Sequence, residues 1–296
     1  MDSSQQIHEV VVGVDALPES GPALEWAATE AERLGCPLRM VHAVDTGTAT
    51  LSCRASAGAT ELIMQAGRDL LAEAAAQVAS AHPGLDAAAA VTAADPAAAI
   101  LDASGPHTLA VVGSRGRGGF ASLLLGSVSL RVAAHAECPV VVVHAPSQPG
   151  EGLGVLVGVL GEEDVPVVRF ALEAAVRRGA PVRALHAWSA VSDAGHMVPM
   201  VDSLDEEERE HARLLHRTVA AAREGLPEDL PGGRVAADVV SGTAAAALVE
   251  ASAHASLLVV GAPRRARVGR LGQHLGSVVH AVLHHAHCPV AVVPVG

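Results

Sequence analysis

The stretch VVGSRGRGGFASLLLGS, residues 111–127, places Gly113, Gly116 and Gly126 in the spacing Gly-x2-Gly-x9-Gly-Ser, with Arg115 and Arg117 on either side of Gly116. Glycine admits positive φ and lets backbone N–H groups approach a ligand with no Cβ in the way. Ser127 stands where a helix would open, and the unpaired N–H groups and dipole of a helix start attract anions. The chemistry these residues suit is a backbone cradle for phosphate, with the two arginines adding charge. It is not a Walker A loop, because no G-x-x-x-x-G-K precedes Ser127 and no lysine is present. Nor is it a dinucleotide fingerprint, since Asp15-Ala-Leu-Pro follows the first apolar run instead of G-x-G-x-x-G.

A second version of the loop, VVGAPRRARVGRLGQHLGS, closes on Gly276-Ser277. It belongs to a wider self-similarity, the first thing to look for in a chain of this length. EVVVGVDALPES from residue 9 matches GVLVGVLGEEDV from 154, and RLGCPLRMVHAV from 33 matches RRGAPVRALHAW from 177. ILDASGPHTLAVVG, ending at 113, matches LVEASAHASLLVVG, ending at 261, and HAECPVVVV from 135 matches HAHCPVAVV from 285. Four blocks recurring in one order mark a tandem duplication. The Pro, Gly and Ser content of residues 145–154 suits a linker, which divides the chain into domains 1–147 and 148–296.

Stepping outward to the elements that must hold the loop, short β-branched runs alternate with longer Ala/Leu/Glu-rich stretches, the pattern of βαβ units on a parallel sheet buried on both faces. Strands are expected near 9–15, 37–44, 86–93, 108–113 and 139–144, and again near 153–160, 181–187, 234–240, 256–261 and 289–294. Helices are expected over 22–34, 62–79, 96–103 and 127–136, with counterparts in the second half. The expected fold is α/β: two tandem doubly wound, Rossmann-like domains, each an open five-stranded parallel sheet, packed as a pseudo-dimer. Such sheets bind ligands beyond the carboxyl ends of their strands, where the glycine loop lies.

The glycine spacing after a strand, the VVGVD first strand and the HA-x-CPV last strand together resemble the universal stress protein family in its tandem two-domain form, over residues 8–145 and 153–295. The resemblance implies ATP, accompanied by Mg2+, as the ligand. It sets Asp15, with Gly13 and Val14 before it, near the adenosine, and backbone at Ala43 against the adenine. Val112, Gly113, Arg115 and Gly116 would then line the ribose and phosphates, and Gly126, Ser127, Val128 and Ser129 would hold the triphosphate. It further implies a stress-response regulator acting through a protein partner that the sequence does not identify. The second repeat departs from the pattern: Leu160 stands where Asp15 stood, Arg264 takes the place of the second glycine, and the loop is two residues longer. Gly261, Gly276 and Ser277 persist, so a weaker second site is the expectation there.

Composition narrows the remaining classes. A net charge of −12, 1% aromatic residues and no tyrosine leave few stacking rings and no basic groove for nucleic acid. No apolar run approaches the roughly 18 residues of a membrane span, and the first residues lack the basic and apolar segments of a secretory signal. Four scattered cysteines give neither a disulfide framework nor a metal knuckle. A cytoplasmic protein is expected. His280 and His284 are spaced to share a helix face, with His285, His287 and Cys288 nearby, yet His285 and Cys288 mirror His135 and Cys138 of the first repeat, so no metal is expected. Glu25, Glu30 and Glu32 read as solvated charges on an outward helix face. No nucleophile elbow or metal-hydrolase motif appears, so a binder is expected over an enzyme. The alternatives are a nucleotide-independent interaction scaffold and a slow ATPase. The last strand of each repeat offers an edge that could pair the two halves or two chains into a homodimer.

Overall fold

The computed structural model describes residues 6–44, 57–114, 125–144, 154–189, 201–226, 235–263 and 275–296. Met1–Ser147 and Gln148–Gly296 form separate compact units. In the first unit the strands are β1 (Glu9–Gly13), β2 (Leu38–Ala43), β3 (Ala87–Thr92), β4 (Thr108–Gly113) and β5 (Val140–Val143). The helices described between them are α1 (Gly21–Leu34), α2 (Ala57–Ala81), α3 (Pro96–Ala103) and α4 (Ser127–His135). The second unit repeats the series with β6 (Gly154–Gly158), α5 (Val165–Arg178), β7 (Val182–Trp188), α6 (Val201–Arg223), β8 (Val235–Ser241), α7 (Ala244–Ser252), β9 (Ala255–Pro263), α8 (Ser277–His285) and β10 (Val290–Val295). A short 3-10 turn at Glu162–Asp164 precedes α5.

Within the first unit the strands run parallel in the order β3-β2-β1-β4-β5. The second unit has the same order, β8-β7-β6-β9-β10, also parallel. Central strands must be apolar on both faces, and they are: Val10, Val11 and Val12 of β1 and Ala110 and Val111 of β4 are fully buried. Alternation along β1 sends Val11 toward α3, where it clusters with Val41 and Ala99, while Val10 and Val12 face the other layer. The strands and the α/β class agree with the sequence pattern. Helix α2 extends beyond the 62–79 read from periodicity, taking in Ala57–Glu61, Gly58 included, and Ser80–Ala81, and it stops before Pro83.

Local chemistry sets the helix ends in both units alike. Gly35 and Gly179 adopt left-handed φ values of 64° and 59° after α1 and α5. In each case the following residue, Cys36 or Ala180, returns its N–H to a carbonyl five residues back, so glycine supplies a conformation that a Cβ would strain. Asp95 caps α3 by accepting from the Ala98 N–H at 3.0 Å, and Arg131 of α4 pairs with the same carboxylate at 2.8 Å. These contacts hold the Asp95 carboxyl below its ordinary range, chiefly through the Ala98 N–H.

The three glutamates of α1 are not a simple solvated row. Glu30 is only 2% exposed and pairs with Arg33, since its position on the helix faces inward with Ala27 and Ala31. Glu32 and Glu25 lie one and a half to two turns apart on a face where both meet His82, just beyond α2: Nδ1 stands 2.8 Å from Glu32 and Nε2 3.3 Å from Glu25. Burial alone would lower the imidazole's pKa, but the Nδ1 contact with Glu32 and charge pairing with both carboxylates outweigh burial and raise it. A raised folded pKa gives stability that is full below the unfolded value of about 6.5 and vanishes as pH climbs past the folded value. With both carboxylates largely in solvent the gain is about 1 kcal/mol or less. We expect Glu32→Gln to lower the melting temperature at pH 6 and to leave it nearly unchanged at pH 9, as thermal unfolding across that range would show.

Candidate functional site

In the first unit a crevice of about 390 Å3 opens at the carboxyl ends of β1, β2 and β4, a size common for small-ligand sites. Its floor is Gly13, Val14 and Asp15 after β1, Val41 to Ala43 at the end of β2, and Val112 and Gly113 at the end of β4. One wall is the start of α4, from Gly126 to Ser129; Pro96 and Ile100 of α3 and Ser20 before α1 complete it. The structure therefore brings together Gly13, Val14, Asp15, Ala43, Val112, Gly113, Gly126, Ser127, Val128 and Ser129, while Arg115 and Gly116 lie outside the described residues. Asp15 is exposed in the crevice, and the residue at the N-cap position of α1 is Ser20, so Asp15 is not a helix cap.

Three hydrogen bonds fix the α4 wall. Ser114 donates its N–H to Val143 O at 2.8 Å, Gly126 N–H donates to Ser114 O at 2.7 Å, and Ser129 Oγ donates to Gly113 O at 2.6 Å. The base of the glycine loop is thereby closed and the first turn of α4 is tied to the end of β4. Gly126 is an extended N-cap with no side-chain cap bond, and the first intrahelical bond runs from Leu130 N–H to Gly126 O. The N–H groups of Ser127, Val128 and Ser129 thus remain without helical partners at the positive end of the helix dipole. The Ser129 hydroxyl serves the scaffold, leaving its N–H for the crevice.

Gly126 has φ −78°, so positive φ is not why glycine stands there. A Cβ at Gly126 would meet nothing within 4 Å; the missing side chain keeps the helix start open. Gly13 is different, because a Cβ would lie 2.6 Å from Ile100 Cδ1, and glycine there allows α3 to close on β1. Behind the floor, His42 Nδ1 lies 2.7 Å from Val14 O. A carbonyl only accepts, so Nδ1 carries the proton, and the imidazole pins the residue before Asp15. The ring packs edge-on to α2 at Gly67, where a Cβ would be 2.8 Å from His42 Cδ2.

The second unit keeps the frame and changes the lining. His186 Nδ1 donates to Val159 O at 2.8 Å, as His42 does to Val14, but His211 takes the place of Gly67. His211 donates from Nδ1 to His186 Nε2 at 2.9 Å and stacks between His186 and Trp188, with centroids 4.9 and 5.2 Å away. Burial, with the neighbouring His211, lowers the His186 pKa against the pull of Val159 O. Leu160, in the position of Asp15, is 73% exposed. Asp164 occupies the slot of Ser20: its Oδ2 accepts from Leu160 N–H at 2.6 Å, and its Oδ1 would lie 2.7 Å from a Cβ on Gly261. Burial raises the Asp164 carboxyl pKa, opposed by the Leu160 and Gly161 N–H groups. Gly276 and Ser277 again open a helix, α8, without a side-chain cap, while Val279 replaces Ser129. A buried carboxylate beside Gly261 makes these strand ends a poorer place for an anion than those of the first unit.

On α8 the rings of His280 and His284 meet in a tilted contact with centroids 4.4 Å apart, and among the described residues no group of three or more side chains could hold a metal ion. Cys138 and Cys288 are buried, and burial pushes the Cys288 thiol up to about 12, so it packs as a small apolar group. Ser20, His42 and Ile100 are crevice residues that sequence reasoning did not name. Their signals were present, in a serine before a helix, a histidine repeated at 186 and an apolar helix position, but nothing in spacing alone turns them inward.

Two parallel doubly wound units with a glycine-marked helix start at the strand ends define the class. The family model for the universal stress protein family matches residues 6–144 and 154–294. The chain belongs to that family. It is 35% identical to a universal stress protein of Mycobacterium tuberculosis over 303 residues, covering 99% of each chain. It is 33% identical over 309 residues to one of Mycolicibacterium smegmatis, again covering 99% of each. The crystal structure of a universal stress protein from Archaeoglobus fulgidus shares the fold, with a TM-score of 0.70 at 19% identity over the whole of both chains.

Because Ser129 Oγ donates to the half-buried Gly113 carbonyl, Ser129→Ala should cost about 1 kcal/mol of stability, the usual worth of such a bond. Denaturant unfolding would measure it. The equivalent change in the second unit, Val279→Ala, removes methyl groups and no hydrogen bond.

Proposed function

We propose that the first unit binds an adenine nucleotide, ATP with Mg2+, and that the protein acts as a nucleotide-holding regulator in a stress response. The observation that carries this reading is the meeting, in one crevice, of the uncapped N-terminus of α4 and the exposed carboxylate of Asp15. The helix start suits phosphate oxygens, and a carboxylate across the crevice suits hydroxyl donors of a sugar. Mg2+ would enter on the phosphates and supply charge neutralisation there. Membership of the universal stress protein family supports the assignment, since the family resemblance drawn from the glycine spacing implies ATP.

Holding is favoured over cleavage by the phosphate-side wall. Among its described residues, Gly126 to Ser129, there is no acid or base to position a water, and His42 uses Nδ1 on Val14 O. Among the described residues no helix is long and apolar enough to cross a membrane. The second unit, with Leu160 and Asp164 in the positions of Asp15 and Ser20, is proposed to bind ATP weakly or not at all.

Titration calorimetry with MgATP on the full chain tests the reading. Gly126→Glu, which fills open space and adds negative charge at the helix start, should weaken binding at least about tenfold, or ~1.4 kcal/mol, with the melting temperature retained. Gly276→Glu should leave affinity and a stoichiometry of one nucleotide unchanged. Loss of binding in the second variant alone would move the site to the other unit, and efficient multiple turnover by wild type that Ser127→Ala abolishes would make the protein a hydrolase.

A further inference from the structure

Ser20 has an accounting problem that the crevice solves. It precedes α1, yet its hydroxyl makes no cap bond to that helix. Instead Oγ accepts from Asp15 N–H at 3.0 Å and Ala16 N–H at 3.4 Å. A hydroxyl has two lone pairs and one hydrogen. Both lone pairs are occupied, and among the described residues no acceptor meets the hydrogen. The residue is only 5% exposed and lines the crevice beside Asp15. A buried donor left without an acceptor is costly, so the hydrogen is directed to whatever fills the crevice.

We propose that Ser20 is a specificity-determining donor to the nucleotide: its O–H donates to a ribose hydroxyl oxygen whose own hydrogen goes to the Asp15 carboxylate. An oxygen that accepts from one side chain and donates to its neighbour is a hydroxyl, and a phosphate oxygen, which carries no proton to give and is negative, would be repelled by Asp15. The second unit shows the pair lost together. Leu160 removes the carboxylate acceptor, and Asp164 in the Ser20 slot still holds the loop through Leu160 N–H but brings a carboxylate in place of a hydroxyl. This inference rests on the nucleotide reading above and adds to it the group that tells a ribonucleotide from a deoxynucleotide.

The test is calorimetry of the full chain with MgATP, 2′-deoxy-ATP and 3′-deoxy-ATP, on wild type, Ser20→Ala and Ser20→Thr. Wild type should prefer ATP over one of the deoxy analogues by about five- to thirtyfold, the factor of one good hydrogen bond. Ser20→Ala should lose that preference by weakening ATP while leaving that analogue's affinity in place, and Ser20→Thr should restore it. An equal loss for all three nucleotides in Ser20→Ala, or no loss, would overturn the proposal and leave Ser20 a support for the Asp15 turn. Should Ser20→Ala not fold, Ser20→Asp carries the residue that the second unit accommodates in this slot, and it too should lose the ribose preference; retained preference overturns the proposal. A wild type that binds none of the three would sink the nucleotide reading itself, which is a separate outcome.

Discussion

The start of α4 faces the crevice because Ser114, Gly126 and Ser129 bind it to the end of β4. Without those bonds the helix would dock on the sheet by its apolar residues alone, Val132 and Ala133 among them, and such packing is not directional. The hydrogen bonds set direction. They turn three N–H groups that a helix start leaves without helical partners into a feature of the crevice wall. A parallel sheet makes the arrangement economical, since all five strands end on the same side and their carboxyl ends can share one cleft.

The second unit separates what the fold requires from what the cleft requires. Strand order, the left-handed glycines after α1 and α5, the buried cysteines and the imidazole reaching back to the loop after the first strand occur in both. These serve the scaffold. Asp15, Ser20 and Ser129 are replaced by Leu160, Asp164 and Val279 with the strand order intact. Gly67 and His211 show the same freedom behind the cleft: a close approach in one unit becomes a ring stack in the other.

Much of this was legible in the residues. The duplication, the strand positions and the glycine spacing are carried by local pattern, and a buried parallel strand has few other ways to read than a β-branched run. The ten crevice residues that were both named and described follow from strand ends and one helix start. The failures have a common cause, which is that contacts across the sheet leave no mark on periodicity. Glu30 carries a charge on a helix and looked solvated, whereas its burial depends on where α1 settles. His82 meets Glu25 and Glu32 only because α2 ends beside α1. The contacts of the Ser20 hydroxyl are set by the backbone at Asp15 and Ala16, which spacing does not reveal. Of the two properties that glycine offers, Gly126 shows the missing Cβ beside open space and not the positive φ.

The ring stack at Trp188 has a practical side. The chain contains two tryptophans and no tyrosine, with Trp26 on α1 of one unit and Trp188 on β7 of the other. Each half of the duplication thus carries its own single indole. Replacing either leaves a lone fluorophore reporting from a known half, with Trp188 marked by its stacked neighbour His211, so the two halves can be followed apart within one intact chain.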